Sequence, residues 1–320
     1  MTHPAKGFYS VKNNYDQSHS LGFRLYTPSD ARGAVLIVHG MQEHSGRYKT
    51  LADFLLQNGY AVLIYDHLGH GKSVQSKTDL GYFQTKRPGE QLINDAKEMA
   101  IHLKTKFPDQ PFFILGHSMG SFIVRCLLQE DHPPFTGAIL VGTGSRVKGA
   151  GIFKAILTVL DKIAPRQRNT LINKTFSKMN NHKFKNEENA SQTSWLSLDP
   201  GNRARFENDP LNGIPFTNNG FLGLLQVTTK ATQRKWAKHI SPHFPLLFVS
   251  GKEDPIGDFG KGVKKTVEEL KKEGFQDVTL QLYENRRHEI LNEDISEEVF
   301  SSIIRWLDAR TQTPPSSSEN

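Results

Sequence analysis

The sequence predicts an α/β fold, a mostly parallel, doubly wound sheet carrying an inserted helical cap. Three observations predict it. Short continuous apolar runs alternate with helix-compatible stretches near both ends of the chain. One run leads into Gly116-His117-Ser118-Met119-Gly120, and helix-compatible residues follow it. The alternation breaks between about residues 143 and 237 and then resumes. A length of 320 residues is ample for one large core with an insertion.

Taken in order, residues 7–12 and 22–27 alternate apolar and polar side chains and read as an antiparallel strand pair. Residues 34–38 and 61–65 are unbroken apolar runs, as strands buried on both faces would be. A helix over about 48–58, closed by Gly59, separates them. The glycine-rich loop 66–73 follows, and a helix over about 89–106 leads to the strand before Ser118. Residues 137–141, 245–250 and 278–283 are further strands, with helices over about 261–272 and 296–310. Crossovers between such strands are right-handed, so ligands are expected beyond the strands' carboxyl ends. The domain division expected is core 1–142, cap 143–237, core 238–310 and a disordered tail 311–320. Within the cap, residues 151–163 read as a helix with Ile152, Ile156, Val159, Leu160 and Ile163 on one stripe, expected to shelter an apolar substrate chain. Loops rich in Asn, Pro and Gly follow, then a weakly apolar helix near 221–227.

Glycine-x-serine-x-glycine between a strand and a helix is the pattern of a nucleophile elbow, in which glycines at 116 and 120 allow a tight turn to expose the serine hydroxyl. The pentapeptide alone also fits an ordinary tight turn. A serine needs a base, and among thirteen histidines His288, just after the last strand, is the best placed. Imidazole titrates near neutrality, which suits that residue type to accept and return a proton. Asp254, after the strand 245–250, is the candidate to orient it, with Glu253 and Asp258 as rivals. The oxyanion donors expected are the backbone N–H groups of Met119, at the helix start, and Met41, where Gly40 permits close approach. Asp66, His67 and His70 lack the pattern of a metal site, so no metal is expected, and no phosphate-loop motif is complete.

The composition, 37% hydrophobic and 23% charged, is that of a soluble globular protein, and no apolar run is long enough to span a bilayer. The N-terminus has no apolar signal region, and a single cysteine, Cys126, fits a reducing compartment, so a cytoplasmic protein is expected. Residues 144–190 hold ten Lys and Arg against three acids, an excess equal to the whole chain's +7. Peripheral contact with an anionic membrane and a simply solvated basic face both fit that segment. The high isoelectric point is the only hint of nucleic acid, and no nucleic-acid partner is expected.

Several blocks together resemble the serine hydrolases of the α/β-hydrolase fold that include monoacylglycerol lipases and bacterial lysophospholipases. They are His39-Gly40-Met41-Gln42-Glu43-His44-Ser45-Gly46-Arg47-Tyr48, the loop 66–73, the pentapeptide 116–120, Gly251-Lys252-Glu253-Asp254-Pro255 and Arg287-His288-Glu289-Ile290-Leu291-Asn292-Glu293. The resemblance runs to about residue 310. It implies Ser118 as nucleophile, Asp254 as acid, His288 as base, and Met41 and Met119 as oxyanion donors. Two positions depart from the family: Leu68 stands where arginine is common, and Asn285 where glycine is frequent. Asparagine tolerates a left-handed turn, so the second departure is mild.

The resulting expectation is a carboxylic ester hydrolase acting without a cofactor on lipid monoesters, lysophospholipids or monoacylglycerols, through an acyl-enzyme on Ser118. A short-chain carboxylesterase and a serine aminopeptidase are the alternatives on the same fold. A non-catalytic binding protein is the alternative of another class. Nothing in the sequence specifies an oligomer.

Overall fold

The computed structural model describes residues 4–12, 18–130, 134–146 and 149–311. Strands β1 (Ala5–Lys12) and β2 (Ser18–Tyr26) form an antiparallel pair, and β2 continues antiparallel onto β4 (Tyr60–Tyr65). From there the sheet is parallel through β3 (Gly33–Val38), β5 (Phe112–His117), β6 (Gly137–Val141), β7 (Leu246–Gly251) and β8 (Val278–Tyr283). The order across the sheet is β1-β2-β4-β3-β5-β6-β7-β8. The chain steps from β3 to β4 in one direction and then crosses back over β3 to β5. The switch point therefore lies beyond the carboxyl ends of β3 and β5, where α/β sheets open a crevice.

Period-two alternation sorts the apolar strands onto two layers. Ala34, Leu36 and Val38 of β3 pack with α2 (Pro88–Lys106), α3 (Met119–Leu127) and α8 (Lys261–Lys272). Val35 and Ile37 pack on the other face with α1 (Lys49–Gln57) and α9 (Ser296–Thr311). Each such fully buried Val, Leu or Ile contributes about 1.5–3 kcal/mol of transfer free energy. This two-sided covering is why the strand sequences are continuously apolar.

Between β6 and β7 run α4 (Ala150–Ile163), α5 (Thr170–Asn181), α6 (Pro200–Asn208) and α7 (Asn218–Ala231). Helices α5 and α6 occupy a stretch expected to be loop. Each starts on a side-chain cap: Asn169 accepts from the Ile172 N–H, and Asp199 accepts from Gly201 and Asn202, with Pro200 in the first turn. Helix α7 packs into the main core through Phe221, Leu222, Val227 and Ala231.

The expectation that the α4 stripe shelters a substrate chain is corrected. Ile152, Ile156, Val159 and Ile163 are 74%, 51%, 56% and 76% exposed. The helix is anchored through buried Leu157 and through Leu160, the one stripe residue packed partly against the core. The other four stripe residues point away from the core. Helix α9 runs through Thr311, one residue into the expected tail, and the rest of that tail lies outside the described residues. No helix among the described residues is long and apolar enough to cross a membrane.

Candidate active site

Ser118 sits between β5 and α3 with φ 51° and ψ −120°, a backbone conformation that L side chains rarely adopt. The turn closes because the flanking residues have no Cβ. A methyl group on Gly116 would come within 2.5 Å of the Gly120 carbonyl oxygen, and one on Gly120 would overlap the Val38 carbonyl. Ser118 is buried, and its N–H donates to the Val141 carbonyl at 2.9 Å, which pins the elbow to β6.

The Ser118 Oγ lies 2.7 Å from Nε2 of His288, and Nδ1 of His288 lies 2.9 Å from Oδ2 of Asp254. Both partners reach the serine from loops beyond the carboxyl ends of β7 and β8. Asp254 is fully buried; its Oδ1 accepts the Ile256 N–H at 2.9 Å, which orients the carboxylate. The sequence-level rivals are elsewhere. Glu253 lies 3.6 Å from the Arg287 guanidinium, and Asp258 is exposed. The turn before His288 passes through Asn285 at φ 51°, so asparagine supplies the left-handed residue there. Leu68, the other departure, is buried in the main core.

Gly40 and Met41 follow β3, opposite the serine. The Gly40 N–H donates to Glu43 Oε1 at 2.5 Å, while the Met41 and Met119 N–H groups donate to no acceptor among the described residues. A Cβ on Gly40 would meet Glu43 Oε1 at 2.7 Å and Ser118 Cβ at 3.1 Å, so the loop approaches the elbow closely. Glu43 also accepts the Tyr48 hydroxyl at 2.6 Å and lies 3.2 Å from Arg47 Nε. Arg47 bridges on to Glu289, and Asn202 of α6 donates to the same carboxylate at 2.9 Å. Burial raises the Glu43 carboxyl, but the hydrogen bond and charge of His117, with Arg47 and Tyr48, more than reverse this and hold it well below the ordinary range.

The segment from residue 184 to 206 covers the serine. The Trp195 ring lies 4.9 Å from the His288 ring, the Leu196 carbonyl accepts the Glu289 N–H at 2.8 Å, and Arg287 bonds Glu187 and the Ser194 carbonyl. Met41, Trp195, Leu196 and Phe206 form the apolar wall of a cavity of about 50 Å³ beside Ser118. That space is far smaller than the roughly 300–1,000 Å³ of usual small-ligand pockets.

His39, His67 and His70 pack ring against ring beneath this loop. Burial pushes all three below the ordinary imidazole value, His70 to about 4, so they are neutral hydrogen-bonding groups of the core. Asp66 accepts the Ser45 and Lys72 N–H groups. Among the described residues no group of three or more His, Cys, Asp or Glu gathers as a metal site.

Residues 29–295 match the family described as serine aminopeptidase, S33. The chain belongs to the serine aminopeptidase S33 family. Among relatives of this S33 member, the monoglyceride lipase of Homo sapiens is 27% identical over 296 residues, 91% of this chain and 87% of that one. The monoacylglycerol lipase of Mycolicibacterium smegmatis is 26% identical over 290 residues, 89% and 91% of the two chains. A highly thermostable carboxyl esterase from Bacillus coagulans, solved with glycerol, shares the S33 member's fold with a TM-score of 0.85. It is 28% identical, with 96% of this chain and 99% of that one covered.

The sequence alone assigns no role to Glu43, Arg47, Glu289 or Trp195. The four-residue spacing of Glu43 and Arg47 is a local signal for an ion pair. Trp195 is brought to His288 by the path of the segment that carries it, and no local pattern marks it.

Proposed function

We propose that this S33 family member is an esterase of lipid monoesters, monoacylglycerols or lysophospholipids, working through an acyl-enzyme on Ser118. The observation that carries the reading is the Ser118 Oγ held 2.7 Å from His288 Nε2 in a site walled by Met41, Trp195, Leu196 and Phe206. As Ser118 attacks the ester carbonyl, His288 Nε2 takes its proton, and Asp254 holds the Nδ1–H and offsets the imidazolium charge. The oxyanion is received by the Met41 and Met119 N–H groups. His288 returns the proton to the departing alcohol, and water repeats the sequence to release the fatty acid. No cofactor takes part.

The relatives' names support a lipid ester, and the site's charges favour an ester over a peptide with a free amino terminus. An aminopeptidase needs a carboxylate to receive the substrate ammonium group. Here Glu43 is committed to His117, Tyr48 and Arg47, and Glu289 to Arg47 and Asn202. The segment 143–237 serves as a cap that moves to admit substrate, since the cavity beside Ser118 is too small for an acyl chain. The test is a hydrolysis panel on the protein and Ser118→Ala: p-nitrophenyl esters of rising chain length, monoacylglycerol, lysophosphatidylcholine and an aminoacyl amide. Ser118-dependent turnover rising with chain length supports the reading. Turnover of the amide alone, or of acetate and butyrate esters alone, overturns it.

The exposed α4 stripe favours a second role for the cap, peripheral contact with an anionic membrane. Ile152, Phe153, Ile156, Val159 and Ile163 stand outward, with exposed Lys154, Lys162, Lys174 and Lys178 on α4 and α5. Each lysine near an anionic surface contributes about 1 kcal/mol, and the apolar side chains insert. Ile156→Asp with Ile163→Asp is expected to reduce co-sedimentation with phosphatidylglycerol vesicles about tenfold or more. Unchanged binding removes this role. We place the enzyme in the cytoplasm, where the buried Cys126 thiol suits a reducing compartment.

A further inference from the structure

We propose that His117 is a positioning residue, held as an imidazolium between the Glu43 carboxylate and the main-chain carbonyl of His288, and that it couples the oxyanion loop to the base. The inference rests on the reading of Ser118 and His288 as nucleophile and base, and it adds a residue that contacts neither substrate nor the serine proton.

The argument is one of donors and acceptors. Nδ1 of His117 lies 3.3 Å from Glu43 Oε1, and Nε2 lies 3.1 Å from the His288 carbonyl oxygen. A carbonyl has no proton to give. Glu43 has none either: Oε1 already receives the Gly40 N–H and the Tyr48 hydroxyl, and Oε2 faces Arg47. A neutral imidazole carries one N–H and one lone pair, so it leaves one of its two contacts as lone pair against lone pair. Only the doubly protonated ring satisfies both. The surroundings agree in direction: burial disfavours the charge, but the hydrogen bond and charge of Glu43, then Glu289, outweigh it and raise the His117 pKa.

Every element packed around the ring takes part in that balance. Glu43, Arg47 and Tyr48 come from the segment after β3, His39 from the end of β3, and His288 and Glu289 from the loop after β8. His39 is neutral, so the buried cations His117 and Arg47 balance the anions Glu43 and Glu289. The structural consequence follows from where the bonds end. Glu43 fixes the peptide of Gly40, next to the Met41 donor, and His117 fixes the carbonyl of the residue whose ring serves Ser118. One ion pair therefore sets the relative placement of the oxyanion loop, the elbow strand and the base loop. Loss of the His117 proton removes one of the two N–H bonds, so the coupling weakens as pH rises.

Two measurements test this. Ring ¹⁵N–¹H correlation spectra of histidine-labelled protein, assigned with His117→Gln, are expected to show both His117 nitrogens still protonated above the ordinary imidazole value of about 6.5. The spectrum is read in Ser118→Ala as well, so it decides the protonation state even if no ester is hydrolysed. A neutral single tautomer of His117 near neutral pH overturns the proposal. Kinetically, His117→Gln and Glu43→Gln are expected to lower kcat about 10- to 100-fold with little change in KM. Both are also expected to abolish the His117-linked fall of kcat/KM at alkaline pH. If either variant loses activity only in proportion to its melting temperature, with the pH profile unchanged, His117 is structural and the coupling is refuted. An inactive wild-type protein whose His117 is an imidazolium defeats the esterase reading and leaves the ion pair standing.

Discussion

Replacing Asp254 by asparagine changes one oxygen to a nitrogen and leaves the shape of the site intact. The direction of the new amide is dictated by its neighbours. Oδ1 of Asp254 accepts the Ile256 N–H at 2.9 Å, so the amide oxygen must stay there. The NH₂ group then faces His288 Nδ1, 2.9 Å away, in the place of Oδ2. Nδ1 becomes an acceptor, the ring proton moves to Nε2, and the nitrogen beside Ser118 can no longer take a proton. The same inversion in a chymotrypsin-type triad lowers kcat about 10⁴-fold, equivalent to about 5–6 kcal/mol of barrier. The assay is kcat on a p-nitrophenyl ester, paired with a melting curve. A well-folded Asp254→Asn protein within about tenfold of wild-type kcat would show that Asp254 does not orient the base.

Three further outcomes follow from other parts of the structure. Gly120→Ala places a methyl group on the Val38 carbonyl and is expected to lower stability by about 4 kcal/mol or more, or to prevent folding, read by urea denaturation. Burial pushes the Cys126 thiol up to about 12, so it is expected to stay unlabelled by thiol reagents near pH 8 until the protein is unfolded; rapid native labelling contradicts this burial. The Glu43–His117 pair sets a pH window for stability. Glu43, lowered in the fold, adds stability that is present above its ordinary 4.5 and lost as pH falls through its lowered value. His117, raised in the fold, adds stability that is present below 6.5 and lost as pH rises through its raised value. The urea midpoint of Glu43→Gln should therefore fall furthest below wild type between those values, and a deficit independent of pH counts against the pair.

The core strands were legible because two buried faces leave little choice of residue. The strands at 34–38 and 61–65 read as unbroken apolar runs, and the structure differs only by one residue at each start, Gly33 and Tyr60. The elbow was legible because its turn demands glycine on both sides of the serine. The insertion was less so. Helix α5 is rich in Asn and Lys, and its apolar period rests on only Ile172, Phe176 and Met179 beside the cap at Asn169, a weak signal among polar residues. Helix α6 announced itself through Asp199-Pro200, a start signal outweighed by the polar residues that follow. The α4 stripe is legible as an apolar face, but all of it except Leu160 is exposed, because periodicity identifies an apolar face and not which neighbour covers it. The charges around the candidate site were hidden for a similar reason. Glu43, His117 and Glu289 lie in three separate sequence blocks, and only the parallel sheet brings them to one edge.

The account turns on an acyl group passing through Ser118. Its most direct measurement is intact-mass analysis of protein quenched during turnover of a long-chain monoester, followed by peptide mapping. The account predicts an added acyl mass on the peptide containing Ser118, and neither adduct nor turnover in Ser118→Ala. Steady turnover that survives in Ser118→Ala, with no acyl adduct in the wild type, would contradict it.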